Sequence, residues 1–311
     1  VNADLQGFVK ELFQDSGRNR LPAELGGGRI FSSPALGVSG GDDPIFLRFK
    51  EVVHTEHLTP EEMWARSGMP TPMTHGSSLR VISILFPYEN HIRTAGKAAQ
   101  GMPPEVYCVA RNLANGFQRY VQQRCVAWFE RRGHRALAGS QSPAYEIIAR
   151  DVPRLASTWS ERHLAFAAGL GTFSLHEGFI SEAGCNIRLA SVLTDAPLAV
   201  TPRRGDDPFA NCLHYATGTC GKCVDRCPGG ALSREGHDKI KCWLFGRVVE
   251  QEMSHRLRGF LKAHRRLIDG KEQLSYPVGC ALCQFGVPCM DRNPVRHPKG
   301  GDLVMGHGIG P

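Results

Sequence analysis

The sequence predicts an α/β (α+β) fold, a mixed sheet covered by helices and followed by a smaller cysteine-rich unit, and three features predict it. The run Leu79-Arg80-Val81-Ile82-Ser83-Ile84-Leu85-Phe86 is short, rich in branched apolar residues and closed by Pro87, as a buried strand is. From Pro104 to Arg132 apolar residues recur at helical spacing (Val106, Val109, Leu113, Phe117, Tyr120, Val121, Val126, Phe129) until Gly133 ends the pattern. Eight of the eleven cysteines then fall after residue 205, too concentrated for scattered core thiols.

The remaining elements follow in order. Residues 1 to 50 mix a short amphipathic start (Leu5, Phe8, Val9, Leu12, Phe13) with glycine-rich stretches at Gly26 to Gly28 and Gly37 to Gly41, the pattern of a surface arm or lid, to which residues 1–78 are assigned. A helix from about Ser160 to Ala168 stops at Gly169, and a strand from Ile187 to Leu193 precedes Thr194-Asp195. Strands and helices thus alternate through 79–204, the expected α/β domain. Residues 205–295 form the second unit, with a helix near Cys242 to Ser254, and 296–311 a polar, glycine-rich tail. The basic run Arg256 to Arg266 is assigned to a solvated helix face.

At 311 residues and 41% hydrophobic content the chain can bury a large core. No run approaches the ~20 apolar residues of a membrane span. The net charge of +7 suits an anionic partner, whether a phosphate-bearing cofactor, an acidic electron donor or RNA, without choosing between them. Without a secretory apolar segment, the expected compartment is the reducing cytoplasm.

The late cysteines are Cys212, Cys220, Cys223, Cys227, Cys242, Cys280, Cys283 and Cys289, and Pro228 follows Cys227 directly. A 4Fe-4S cubane takes four thiolates, and a C-x2-C turn sets two sulfurs on adjacent corners. Cys220/Cys223 and Cys280/Cys283 are such pairs. In two-cluster ferredoxins the cysteine before the proline serves the other cluster. The expected ligand sets are therefore Cys212, Cys220, Cys223 and Cys289 for one cluster, and Cys227, Cys242, Cys280 and Cys283 for the second. Structural zinc would accept two C-x2-C knuckles but gives no reason for the C-x2-C-x3-C-P run. Disulfides would leave one thiol over. The usual first cysteine of the run falls at Thr217, so Cys212 replaces it from a longer loop.

The order of motifs, an α/β segment, Ala168-Gly169-Leu170-Gly171, a strand ending Leu193-Thr194-Asp195, C-x2-C-x3-C-P, a lone cysteine and a C-x2-C pair, resembles the epoxyqueuosine reductases, which share their core with the reductive dehalogenases. The resemblance spans roughly residues 79 to 290. It implies a base-off cobalamin (a corrinoid) held against two 4Fe-4S clusters, a mixed-sheet corrinoid-binding domain and a ferredoxin-like C-terminal domain. It also implies that the glycine turn, Gly169 and Gly171, lets backbone approach the cofactor, and that the segment from Thr172 to Arg188 lines it, with Ser174, His176, Cys185 and Asn186 as contacts. The chain departs from the family where Thr172-Phe173-Ser174-Leu175-His176 replaces an aromatic-Ile-Gly-Lys-Asn sequence. The proton-donating aspartate expected six residues before Glu161-Arg162 is Leu155 here.

No catalytic residue is therefore fixed. Asp151 is a substitute acid by position, Tyr107 and Tyr145 are candidates by the chemistry of the dehalogenases, and His176 is a polar residue in a loop. His163 is assigned to a helix face, His54 and His57 to a loop without metal, and Cys108 and Cys125 to the apolar interior. The implied function is a cobalamin-dependent iron-sulfur oxidoreductase that passes electrons from a donor such as ferredoxin or flavodoxin, through two clusters, to a corrinoid for reductive chemistry on a small or nucleoside-type substrate. No sequence feature supports tRNA. The rival is an electron-transfer or corrinoid-handling protein that turns over no substrate of its own.

Overall fold

The computed structural model describes residues 3–70, 79–151 and 155–295. In chain order the elements are α1 (Ala3–Asp15), β1 (Ala35–Gly40), α2 (Ile45–Val52), α3 (Pro60–Arg66), β2 (Arg80–Pro87), α4 (Asn90–Ala98), α5 (Glu105–Glu130), β3 (Ala136–Leu137), β4 (Ile147–Ile148), β5 (Ala156–Ser157), α6 (Glu161–Ala167), β6 (Gly171–Phe173), β7 (Phe179–Ser181), β8 (Ile187–Thr194), α7 (Leu213–Thr217), α8 (Lys222–Asp225), α9 (Lys239–Arg256), β9 (His264–Ile268) and β10 (Lys271–Ser275). The two apolar runs become β2 and β8, which pair antiparallel along their whole length from Arg80↔Thr194 to Pro87↔Ile187.

The main sheet has the order β1-β2-β8-β3. Both faces of β2 are covered, which is why its sequence is mostly apolar rather than alternating. Ile82, Ile84 and Phe86 face a core built from α1 and α5, while Val81 belongs to the core beneath α6. On the α5 side Phe13, Phe86 and Phe117 interlock, with Phe13 4.8 Å from Phe86 and 5.0 Å from Phe117 between ring centroids. Across the sheet Gly37, Ser83 and Ser191 stand in register. This row of small residues gives α6 room: a Cβ on Gly37 would lie 2.3 Å from the Ala168 carbonyl oxygen. The indole N–H of Trp159 donates to the Ser191 hydroxyl at 2.9 Å.

Several expectations are corrected here. Residues 3–50 are no surface arm: Leu5, Val9, Leu12 and Phe13 are core, and Gly37 to Gly40 lie in β1, bonded along β2. Of the glycines that suggested a loop, Gly37, Gly40 and Gly41 are close approaches a side chain would block. Main-sheet pairings are all antiparallel. The second sheet, order β10-β9-β4-β5, is the mixed one, with β4 parallel to β9 at Ile147↔Ile268. That pairing crosses the expected boundary at 204/205, as does the core, which runs on into Val249 and Met253 of α9 and Phe285. The basic run is not one helix face. Helix α9 ends at Arg256, and His264 to Arg266 are strand. The hairpin β9–β10 turns at Asp269-Gly270, both with left-handed φ (47° and 72°), a two-residue turn signal. The expected tail, 296–311, lies outside the described residues.

The cysteine-rich segments are tied to this frame by Arg226. Its Nε donates to the Phe285 carbonyl and its Nη2 to the Gly96 carbonyl, each at 3.0 Å. Phe285 is fully buried against Tyr107, ring centroids 5.0 Å apart. A Cβ on Gly96 would lie 2.3 Å from the Phe285 ring. In an open helix Gly→Ala stabilises by about 1 kcal/mol. Here Gly96→Ala is expected to destabilise by about 1–3 kcal/mol through overpacking, read as a lower thermal midpoint. A raised midpoint would mean that Phe285 yields freely.

Candidate metal centre and adjoining cavity

The eight late cysteines sort into two groups of four. Cys212, Cys220, Cys223 and Cys289 line one small cavity together with Ser174, His176 and Val287. Burial pushes the Cys223 thiol up to about 12, and Cys289, Cys220 and Cys212, in that order, add to the shift. Burial likewise raises Cys280 to about 11, with Cys242 and Cys227 contributing. Cys283 is driven well above the usual thiol range by burial, then by Cys280, Cys242, Cys227 and Cys223. Cys212, Cys220, Cys223 and Cys289 are termed the inner quartet, and Cys227, Cys242, Cys280 and Cys283 the outer one; Cys223 also acts on Cys283, and both Cys289 and Cys283 act on Cys185. Cys212 and Cys223 are buried, whereas Cys242 is exposed on the first turn of α9. Burial thus holds Cys223, Cys280 and Cys283 above the usual thiol range, whereas Cys185 first, and then His176, bring Cys289 down to about 5. A soft cation that replaces the protons of the buried thiols relieves their cost.

Local structure explains the arrangement. The backbone N–H groups of Cys185 and Asn186 donate to the carbonyls of Cys289 and Met290 at 2.7 and 3.2 Å. The same contact requires Gly184, whose φ is +84° and whose Cβ would meet the Met290 carbonyl at 2.5 Å. The Ala231 N–H donates to the Cys227 sulfur at 3.3 Å. Asp238 caps α9 by accepting from the N–H groups of Ile240 and Lys241 at 3.0 Å.

A larger cavity of about 820 Å³ adjoins this region, towards the upper end for a small-molecule site. Phe49, Val52, Val53, Leu155, Phe166 and Phe173 give it apolar walls, and Arg48, Arg162, Arg203 and Lys239 bring positive charge. Arg203 is ion-paired with Asp43, and Lys239 lies 3.4 Å from Glu177. His163 faces the cavity and is held down to about 3 by burial first and then by Arg162, so it is neutral. Its Nδ1 lies 2.8 Å from the Ser160 hydroxyl. One strip of chain serves both spaces: Phe173 and Glu177 line the large cavity, while Ser174 and His176 line the thiol cavity.

The structure separates the candidates named from sequence. Ser174 donates to the Gly178 carbonyl at 3.0 Å, and His176 and Cys185 converge on Cys289, their ligand atoms all within 4.8 Å. Asn186 is fully buried beside them, with neither side-chain atom partnered among the described residues. Gly169 and Gly171 meet protein backbone: their Cβ atoms would lie 2.7 Å from the Pro202 carbonyl and 2.2 Å from the Ile180 carbonyl. They line a separate pocket of about 220 Å³ that shares Phe166, Arg203 and Asp206 with the large one. Thr172 lines that pocket as well, and Arg188 points elsewhere, to Gln118 and Asn115, so the stretch 172–188 does not line one space. Tyr145 lines the large cavity. Burial, and then Glu161, raise its phenol above the usual value. Tyr107 is instead a core residue packed edge to face with Tyr88 and Phe285. Asp151 is exposed and paired with His54 at 2.7 Å, outside the residues lining either cavity. Sequence reasoning missed the wall from Asp43 to Val53, together with His163, Arg203 and Lys239, because their chemistry appears only when distant segments meet.

No family model and no curated protein matches the sequence. Solved structures do. The chain is similar to epoxyqueuosine reductases. That from Streptococcus thermophilus aligns with 95% of this chain and 68% of its own, at 14% identity and a TM-score of 0.44. That from Bacillus subtilis aligns with 84% of this chain and 65% of its own, at 17% identity and 0.40. A catabolic reductive dehalogenase aligns over 85% of this chain but 40% of its own length, at 14% identity and 0.43. Among the described residues no helix is long and apolar enough to cross a membrane.

Behind the cavity wall sits Glu161, both carboxyl oxygens buried. Burial raises it from 4.5 to about 7, opposed in part by Ser191, Ser140 and Arg188. A carboxyl raised on folding is favoured in its protonated form, so its contribution falls as pH rises from 4.5 to about 7 and is constant above. Keeping this charge buried above pH 7 costs up to about 3 kcal/mol. Glu161→Gln should therefore flatten that part of the stability–pH profile and be the more stable protein at pH 8, in urea melts taken at several pH values. Parallel profiles for the two proteins would show that Glu161 titrates normally.

Proposed function

We propose that the chain is a corrinoid-dependent iron-sulfur oxidoreductase that passes electrons through two 4Fe-4S clusters to a reductive site in the 820 Å³ cavity. One observation supports the reading: Cys212, Cys220, Cys223 and Cys289 line one small cavity across the strip 173–177 from the larger one, and Cys280, Cys242 and Cys227 act on the buried Cys283 nearby. The donor sets fit the groups. Four soft thiolates per quartet suit a cubane, and the buried, unpartnered Nε2 of His176 and amide of Asn186 suit the hydrogen-bonding surface of one. For a corrinoid, apolar walls match the ring faces, and the cationic side chains match the polar and phosphate-bearing periphery. When bound, the clusters would supply single electrons and the corrinoid a strongly reducing metal centre.

The chain's own part is binding, exclusion of water and proton supply. Tyr145 keeps its phenolic proton through burial and lies on the cavity wall, so it is the proton donor proposed here, with Glu161 behind it. The substrate would be a small or nucleoside-type molecule, and the electron donor a carrier such as a ferredoxin or flavodoxin reaching the exposed Cys242 side. A second reading, corrinoid handling without substrate turnover, is favoured by one fact. Of the cavity's carboxylates, Asp43 and Asp206 lie against Arg203 and Glu177 against Lys239, so none stands ready as an acid.

Protein reconstituted anaerobically with iron and sulfide, incubated with cobalamin and gel-filtered should carry about eight irons and one cobalt. Eight irons without cobalt would sink the corrinoid, and zinc in place of iron would sink both. Cys223→Ser and Cys283→Ser should each retain about four irons. Full iron in either variant would overturn the ligand sets.

A further inference from the structure

His176 holds a buried nitrogen that nothing satisfies. Its Nδ1 accepts the backbone N–H of Gly178 at 3.1 Å. In the neutral imidazole one nitrogen accepts and the other donates, so this contact places the proton on Nε2. Nε2 is buried and has no hydrogen-bond partner among the described residues. A ring nitrogen of His176 and the sulfurs of Cys185 and Cys289 lie within 4.8 Å of one another, and Nδ1 is already turned to Gly178, so Nε2 is the nitrogen left to face sulfur. Cys185 belongs to neither quartet. It is 2% exposed, its N–H is bonded to the Cys289 carbonyl at 2.7 Å, and its S–H reaches only the distant Gln284 carbonyl at 3.8 Å. Two donors outside the ligand sets thus converge on one ligand sulfur.

We infer that His176, assisted by Cys185, hydrogen-bonds the Cys289 sulfur of the inner cluster and thereby raises that cluster's reduction potential. The inference rests on the two-cluster reading. An added electron increases the negative charge on the ligand sulfurs, and an N–H aimed at one of them stabilises the reduced form more than the oxidised form. The inner site, beside the cavity, becomes a better electron acceptor than bare thiolates would make it. His176 is a positioning residue in this sense, bonded to a ligand and not itself a ligand.

The test is a redox titration followed by electron paramagnetic resonance on the reconstituted full chain. His176→Leu should keep about eight irons while one of the two transitions moves to lower potential. A tenfold change in the reduced-to-oxidised ratio at fixed potential, about 59 mV for a one-electron couple, is the expected size. His176→Gln, which retains an N–H donor, should stay near the wild type, and Cys185→Ala should move the same transition the same way by less. Unmoved transitions in His176→Leu would overturn the inference, as would loss of four irons from both His176 variants, which would make the imidazole a ligand. Should His176→Leu alone lose iron, the Cys185→Ala shift decides, its absence overturning the inference. A wild-type protein that binds no cluster would instead bring down the two-cluster reading itself, a failure visible before any variant is compared.

Discussion

The guanidinium of Arg226 holds the two halves of the cysteine framework to the rest of the molecule. It sits between Cys223 and Cys227 in sequence, yet its hydrogen bonds go to Phe285, just beyond Cys283, and to Gly96 in α4. Charge-assisted bonds to two carbonyls are directional and strong for their size. They fix the C-x2-C-x3-C-P turn against the second C-x2-C turn before any metal is considered. Phe285 then carries the constraint into the main core through Tyr107. Helix α5, the sheet and both cysteine turns are consequently parts of one packed body and not a domain with an appended module.

That packing bears on function through the five residues from Phe173 to Glu177. The two ends of this strip, Phe173 and Glu177, face a spacious cavity, and its three middle residues face one lined with thiols. A wall one residue thick brings two chemistries together while keeping them apart sterically. The glycines at 169 and 171 contribute by letting backbone meet backbone at Pro202 and Ile180, which holds the strip close to its neighbours.

Much of this was legible in the sequence where the signal is local. The branched runs at 79–86 and 187–193, the helical period from Pro104 and the stop at Gly169 each depend on neighbours a few residues away, and each formed the expected element. The cysteine spacing, likewise local, pointed to Cys212, Cys220, Cys223 and Cys289, which line one cavity. What was not legible depends on distant partners. Glycine in β1 looks like a loop until Ala168 is seen pressing on Gly37. Tyr107 and Tyr145 are indistinguishable as letters, and only packing puts one in the core and the other on a cavity wall. Asp151 sat at a plausible position in sequence but is turned to His54. His176 was noticed for its place after a glycine turn, whereas its approach to Cys289 requires the fold.

The difference in exposure between the quartets has a consequence for durability. Cys242 is exposed while Cys212 and Cys223 are buried, and thiols oxidise in order of their access to solvent. Air would reach Cys242 first, while the buried Cys212 and Cys223 are shielded. Damage confined there leaves the buried thiols intact, and a thiol reductant can reverse it as long as Cys242 has not passed the sulfenic stage.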